Sequence, residues 1–156
     1  MPSKIRPLGW LVLPCRIILG GLFVFAGVIK LMNPQLFQQA IAAFKVPGMP
    51  SHLEILLTFV VPWCEIAAGA ALLLGLWTRS AALLLSSMLV VFIALISSVL
   101  WRGMDVKCGC FGKFEVPCTG PVGPCHLVRN GVLLALGLMV VFFGPGPLAI
   151  DRESTK

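Results

Sequence analysis

Tyrosine is absent from these 156 residues, and charge is scarce: six Asp or Glu, twelve Lys or Arg and two His stand against a hydrophobic share of 58%. An ordinary soluble domain, with an apolar share of about 45–50%, is excluded. The chain reads as one integral membrane domain over residues 1–156. No internal repeat or low-complexity tract interrupts it. The few acidic residues leave a net charge of +6, yet the basic residues are spread along the chain instead of gathered on a motif. That pattern gives no nucleic-acid footprint and suits interface anchors and topology signals. The start, Met1-Pro2-Ser3-Lys4-Ile5-Arg6, is basic, but Arg16 breaks the apolar run and no small-x-small site follows, so the first helix is expected to be retained.

What the chain has is length in its apolar runs. Leu8 to Leu31, Leu53 to Trp77, Ala81 to Leu100 and Leu127 to Phe143 each reach or approach the roughly 20 residues a spanning helix needs. Trp10, Trp77 and Trp101 fall near run ends, where an amphipathic ring sits at the headgroup level. Gly144-Pro145-Gly146-Pro147 stops the fourth run. Between the first two, Asn33 and Pro34 open a segment in which Leu36, Phe37, Ala40, Ile41 and Phe44 share one face. This predicts a short interfacial helix ended by Val46-Pro47-Gly48. The second connection, Thr78 to Ser80, predicts a tight antiparallel hairpin. Ala67, Ala71 and Gly75 on the second span, and Gly131 and Ala135 on the fourth, are expected to form ridges where helices approach closely. The expected fold is an all-α four-transmembrane-helix bundle with a cysteine-rich loop, 101–126, between helices 3 and 4.

Glu65 lies deep in the second span, where a carboxylate costs several kcal/mol unless paired. Counted from the ends of the runs at about 1.5 Å per residue, Arg16 lies within roughly 6 Å of its depth and Lys30 roughly 15 Å away. Arg16 is therefore the expected partner. Such a pair either fixes helix register or serves as a proton relay or a polar lining for a quinone headgroup. Pro62 is expected to bend the span and widen a cavity near Trp63 and Glu65. A small-solute transporter is disfavoured, since only one intramembrane carboxylate is evident and no broken-helix repeat appears. Cys15 and Cys64 read as small buried apolar residues.

Four of the six cysteines lie in the third connection, in the order Cys108-x-Cys110, Cys118, Cys125-His126. Cys108 and Cys110, separated by Gly109, can close a small strained disulfide of the labile kind, and Lys107 and Lys113 favour the thiolate. In a redox reading they form an exchange pair, with Cys118 and Cys125 a second dithiol. A zinc site from the four thiolates, or from three with His126, is the alternative, although the six residues between Cys118 and Cys125 exceed the usual spacing. Plain structural disulfides are the third reading. Paired thiols persist outside the cytoplasm, which places the loop on the periplasmic or outer side of a bacterial cytoplasmic membrane and both termini inside.

Arg16 with Gly20, Phe23-x-x-x-Gly27-x-x-Lys30-Leu31, Pro62-x-x-Glu65, Gly75-x-x-x-Arg79, Phe92, Arg102-Gly103, Cys108-Gly109-Cys110-Phe111-Gly112 and Arg129-Asn130 together resemble the MauE/DoxX family of four-helix membrane proteins. The resemblance runs from Arg16 to about Gly137, and the Cys-Gly-Cys-Phe-Gly block is its most specific element. It implies cooperation with a thioredoxin-like partner in forming or reducing disulfides of exported client proteins, with thiosulfate and quinone chemistry in the DoxX branch. The Pro- and Gly-rich segment from Cys118 to Cys125 departs from the simplest pattern. A redox protein linked to a membrane acceptor such as quinone is the expected function. A non-enzymatic accessory subunit of a larger membrane complex is the runner-up.

Overall fold

The computed structural model describes residues 7–104, 106, 118, 121–144, 146 and 149–150, with side chains from Trp10 onward. Its helices are α1 (Pro7–Met32), α2 (Pro34–Ala43), α3 (Ser51–Leu74), α4 (Thr78–Trp101) and α5 (Pro124–Phe143). All except α2 are long and apolar enough to cross a membrane. The protein is thus a multi-pass helical bundle, and α2 is the short helix expected between the first two spans. Pro34 occupies the first turn of α2, where its missing N–H costs nothing. No residue of α2 is buried; Phe44, just after it, is.

The α3–α4 hairpin forms as expected, but three residues earlier in the chain. Gly75 takes φ +73°, its N–H is donated to Leu72 C=O, and Leu76 N–H is donated to Ala71 C=O. This left-handed glycine cap satisfies the last carbonyls and ends α3 at Leu74. Trp77 also turns left-handed, so α4 begins at Thr78 and the segment expected to connect the spans is already helical.

Backbone proximity sets the helix pairs, though not at the expected ridges. A Cβ on Gly20 would lie 2.8 Å from Gly69 O, and one on Gly27 would lie 2.8 Å from Pro62 O and 2.7 Å from Ile66 Cγ1. Those contacts hold α1 antiparallel against α3 at a separation only glycine permits. Gly137 does the same for α5, its absent Cβ falling 2.5 Å from Ser86 Oγ of α4. Ala67 and Ala135 are exposed, and a Cβ on Gly131 meets nothing within 4 Å. Of the other expected ridge residues, Ala71 packs against the larger apolar core and Gly75 lies at a tight contact, its Cβ position 2.8 Å from Ala149 Cα.

Two apolar clusters result. The larger joins all four spans through Val12, Leu19, Phe23, Leu72, Leu85, Leu89, Leu133 and Val140. The smaller lies where α4 ends beside the loop and contains Phe44, Ile96, Val99, Val106 and Val122. Arg102 fastens this end by donating to the carbonyls of Phe44 (2.5 Å) and Lys45 (3.1 Å). The loop is pinned by Val122 N–H donating to Val106 C=O at 2.7 Å.

Candidate functional site

A cavity of about 460 Å³ lies between the two clusters. Phe23 and Leu133 of the larger cluster and Phe44 of the smaller one form parts of its wall. Its polar groups are few: Lys30 from α1, Glu65 from α3, Ser87 from α4, and Arg129 with Asn130 from α5. Phe37, Ala40 and Ile41 of α2 also line it.

Glu65 is deeply buried, and Lys30 Nζ donates to its Oε1 at 2.5 Å. Both side chains are less than a tenth exposed, so the pair sits where water cannot screen it. The ammonium also lies 5.0 Å from the centroid of the Phe37 ring, a cation–π contact that ties α2 to the pair. The other carboxylate oxygen, Oε2, is buried without a hydrogen-bond partner among the described residues.

Lys30, not the expected Arg16, therefore pairs with Glu65. Helix register here is set by the glycine contacts and not by the run ends. With Gly20 on Gly69 and Gly27 on Pro62, Glu65 lies level with about residue 24 of α1. At about 1.5 Å per residue, Lys30 is then displaced by roughly 9 Å and Arg16 by roughly 12 Å in the opposite direction. Side-chain direction decides between them, because Cα–Cβ bonds tilt toward a helix N-terminus. On these antiparallel helices Lys30 and Glu65 lean toward each other, whereas Arg16 leans away. Its guanidinium is near the other end of α3, where Nη1 stands 3.1 Å from the position of a Cβ on Gly75.

On the loop side, Cys118 and Cys125 are joined by a disulfide with a Cα separation of 5.9 Å. Cys118 is buried and Cys125, in the first turn of α5, is exposed. His126 is buried and caps this helix: Gly123 N–H donates to its Nδ1 at 3.3 Å. Asn130 Nδ2 donates to His126 C=O at 2.7 Å. Cys125 and Arg129 stand one helical turn apart on the same side of α5, so the Cys125 end of the disulfide lies one turn from a residue of the cavity wall. Cys108 and Cys110, with Lys107 and Lys113, lie outside the described residues. Cys15 and Cys64 are free and half-buried.

Residues 8–143 match the family model described as Methylamine utilisation protein MauE. The chain belongs to the MauE family. The MauE match runs from the first turn of α1 to the end of α5, taking in the cavity, the Lys30–Glu65 pair and the whole cysteine loop. No curated protein and no solved structure matches the chain.

Of the polar residues around the cavity, Lys30 is too distant in depth when counted from the run ends, and Arg129 and Asn130 belong to the motif shared with the family. Lys30 carried a readable signal in the i, i+7 spacing from Phe23 and in the tilt of its side chain toward the bilayer centre. Asn130 carried one as a polar residue inside an apolar run.

Proposed function

We propose that this MauE-family protein is a membrane-embedded thiol–disulfide redox protein, passing electrons between a thioredoxin-like partner or exported client and a membrane acceptor such as quinone. Cys108 and Cys110 are the exchange pair, and Cys118 and Cys125 are the second pair. The observation that carries this reading is the Cys118–Cys125 disulfide, whose Cys125 end lies in the first turn of α5, one turn from the cavity residue Arg129. A thiolate from outside can approach the exposed Cys125 side of the bond, while the cavity below supplies room for an acceptor. On this reading the protein sits in a bacterial cytoplasmic membrane with the loop outside, a side supported by the persistence of disulfides there.

Exchange proceeds through a mixed disulfide, so removing the resolving thiol traps the partner. Cys108→Ser and Cys110→Ser proteins, incubated with a thioredoxin-like protein from the same organism and run on non-reducing gels, test this. One of the two should yield a covalent adduct that the thiol reductant dissolves. No adduct from either, with about one equivalent of zinc in the wild type, would reject the relay and favour a zinc-holding loop. The burial of Cys118 and the Val106–Val122 clasp favour a second reading, an accessory subunit of a larger membrane complex whose loop is locked by its disulfide. In that case serine at both Cys118 and Cys125 would weaken assembly and leave thiol exchange unaffected.

A further inference from the structure

We infer that the cavity is itself the acceptor site, binding a neutral quinone or quinol that enters sideways from the bilayer and places a ring oxygen between Lys30 and Glu65. This rests on the redox reading above and supplies its missing half. The volume, about 460 Å³, falls in the range of small-molecule sites, and the wall is mostly apolar with a few convergent polar groups.

Glu65 Oε2, which has no donor among the described residues, is the decisive feature. Glu65 is only 5% exposed, and a carboxylate oxygen buried without a donor is costly. A quinol O–H provides that donor. Lys30 Nζ carries three donors and spends one on Oε1, so it can also donate to the carbonyl oxygen of the oxidised ring. Side by side, the two groups serve both redox forms.

Depth and access select the ligand class. Glu65 lies 14 residues into α3, roughly 20 Å along the axis from its N-terminus. A phosphate headgroup taken that far into the bilayer, beside a carboxylate, would meet a severe desolvation penalty. A neutral ring meets none. Access is lateral, because Ser87 and Val91 of α4 line the cavity and also face outward, Val91 being 60% exposed. The reaction balances: the Cys118 and Cys125 thiols join in an S–S bond, and their two electrons reduce the quinone. The two protons they release are matched by two taken up at the ring oxygens, one of them delivered at Lys30–Glu65.

The test uses full-length protein in lipid nanodiscs, a photoreactive azido-quinone, and equilibrium binding of decylquinol and its quinone. Labelling should map to residues 22–30, 57–65 and 87–95. Glu65→Gln should weaken quinol binding at least about tenfold and quinone binding much less, since the carboxylate serves only the hydroxyl form. Ala40→Trp, which fills the cavity from α2, should abolish labelling, while Ala42→Trp on the exposed side of the same helix should leave it intact. Labelling scattered over the lipid-facing surface, equal effects of the two Trp variants, or a stoichiometric phospholipid that quinol cannot displace would each overturn the site. The relay is judged separately. Labelling retained in the Cys118→Ser/Cys125→Ser protein, with no partner trapped by the single-thiol variants, would keep the site and reject the relay; trapping without labelling would do the reverse.

Discussion

Replacing Lys30 with Met removes the ion-pair partner, the only one among the described residues, of a carboxylate that is 95% buried. Breaking a buried ion pair from one side costs about 3–5 kcal/mol, because the remaining charge has neither water nor a counterion. The geometry places this change at the upper part of that range: Oε1 loses its 2.5 Å donor while Oε2 has none among the described residues. Glu65→Leu should cost a similar amount by stranding the ammonium, relieved in part by its cation–π contact with Phe37. The double variant Lys30→Met/Glu65→Leu should recover most of the loss, since two apolar side chains of similar volume need no partner. Unfolding of the purified protein in detergent, followed by circular dichroism against denaturant, measures all three. Arg16→Leu combined with Glu65→Leu should behave additively, as distant sites do. A Lys30→Met protein as stable as wild type, or a double variant as unstable as the sum of its singles, would refute the pairing.

The remaining predictions concern backbone approach, the disulfide and topology. Gly69→Val should disrupt the bundle, because even a Cβ there would lie 2.8 Å from Gly20 O, whereas Gly131→Ala, with open space around it, should stabilise α5 by roughly 0.5–1 kcal/mol; thermal unfolding in detergent compares them. Serine at both Cys118 and Cys125 opens a ring of sequence separation 7 and should lower stability by about 2–3 kcal/mol, measured with and without reductant. A membrane-impermeant thiol reagent applied to intact cells after mild reduction should label Cys125, and labelling only after lysis would reverse the orientation.

Span number and type were legible in the sequence because 20 or so apolar residues in lipid have few alternatives to a helix. The interfacial helix was legible too, from Asn33-Pro34 and the shared face of Phe37, Ile41 and Phe44. Depth within the bundle was not. It depends on which glycines touch, and nothing in composition distinguishes Gly20 and Gly69, which meet, from Gly131, which meets nothing. That register, together with the tilt of side chains toward helix N-termini, gave Glu65 to Lys30 instead of Arg16. The cavity was equally hidden in one dimension. Its polar wall comes from four helices, and the sequence named Glu65 while leaving Arg129 and Asn130 as motif residues without a role. The hairpin shifted by three residues for a local reason: Gly75 closed the helix cap before the apolar run ended.

The most direct test of a thiol relay to a membrane acceptor is turnover in nanodiscs: the reduced thioredoxin-like partner is supplied, decylquinone is added, and quinol formation is followed by absorbance alongside thiol counting. One disulfide should form for each quinol, at a rate that falls at least about a hundredfold in Cys110→Ser and in Cys125→Ser, since each breaks the exchange chain. Quinol formation that is indifferent to both substitutions, or none at all from wild-type protein that binds its partner, would contradict the relay.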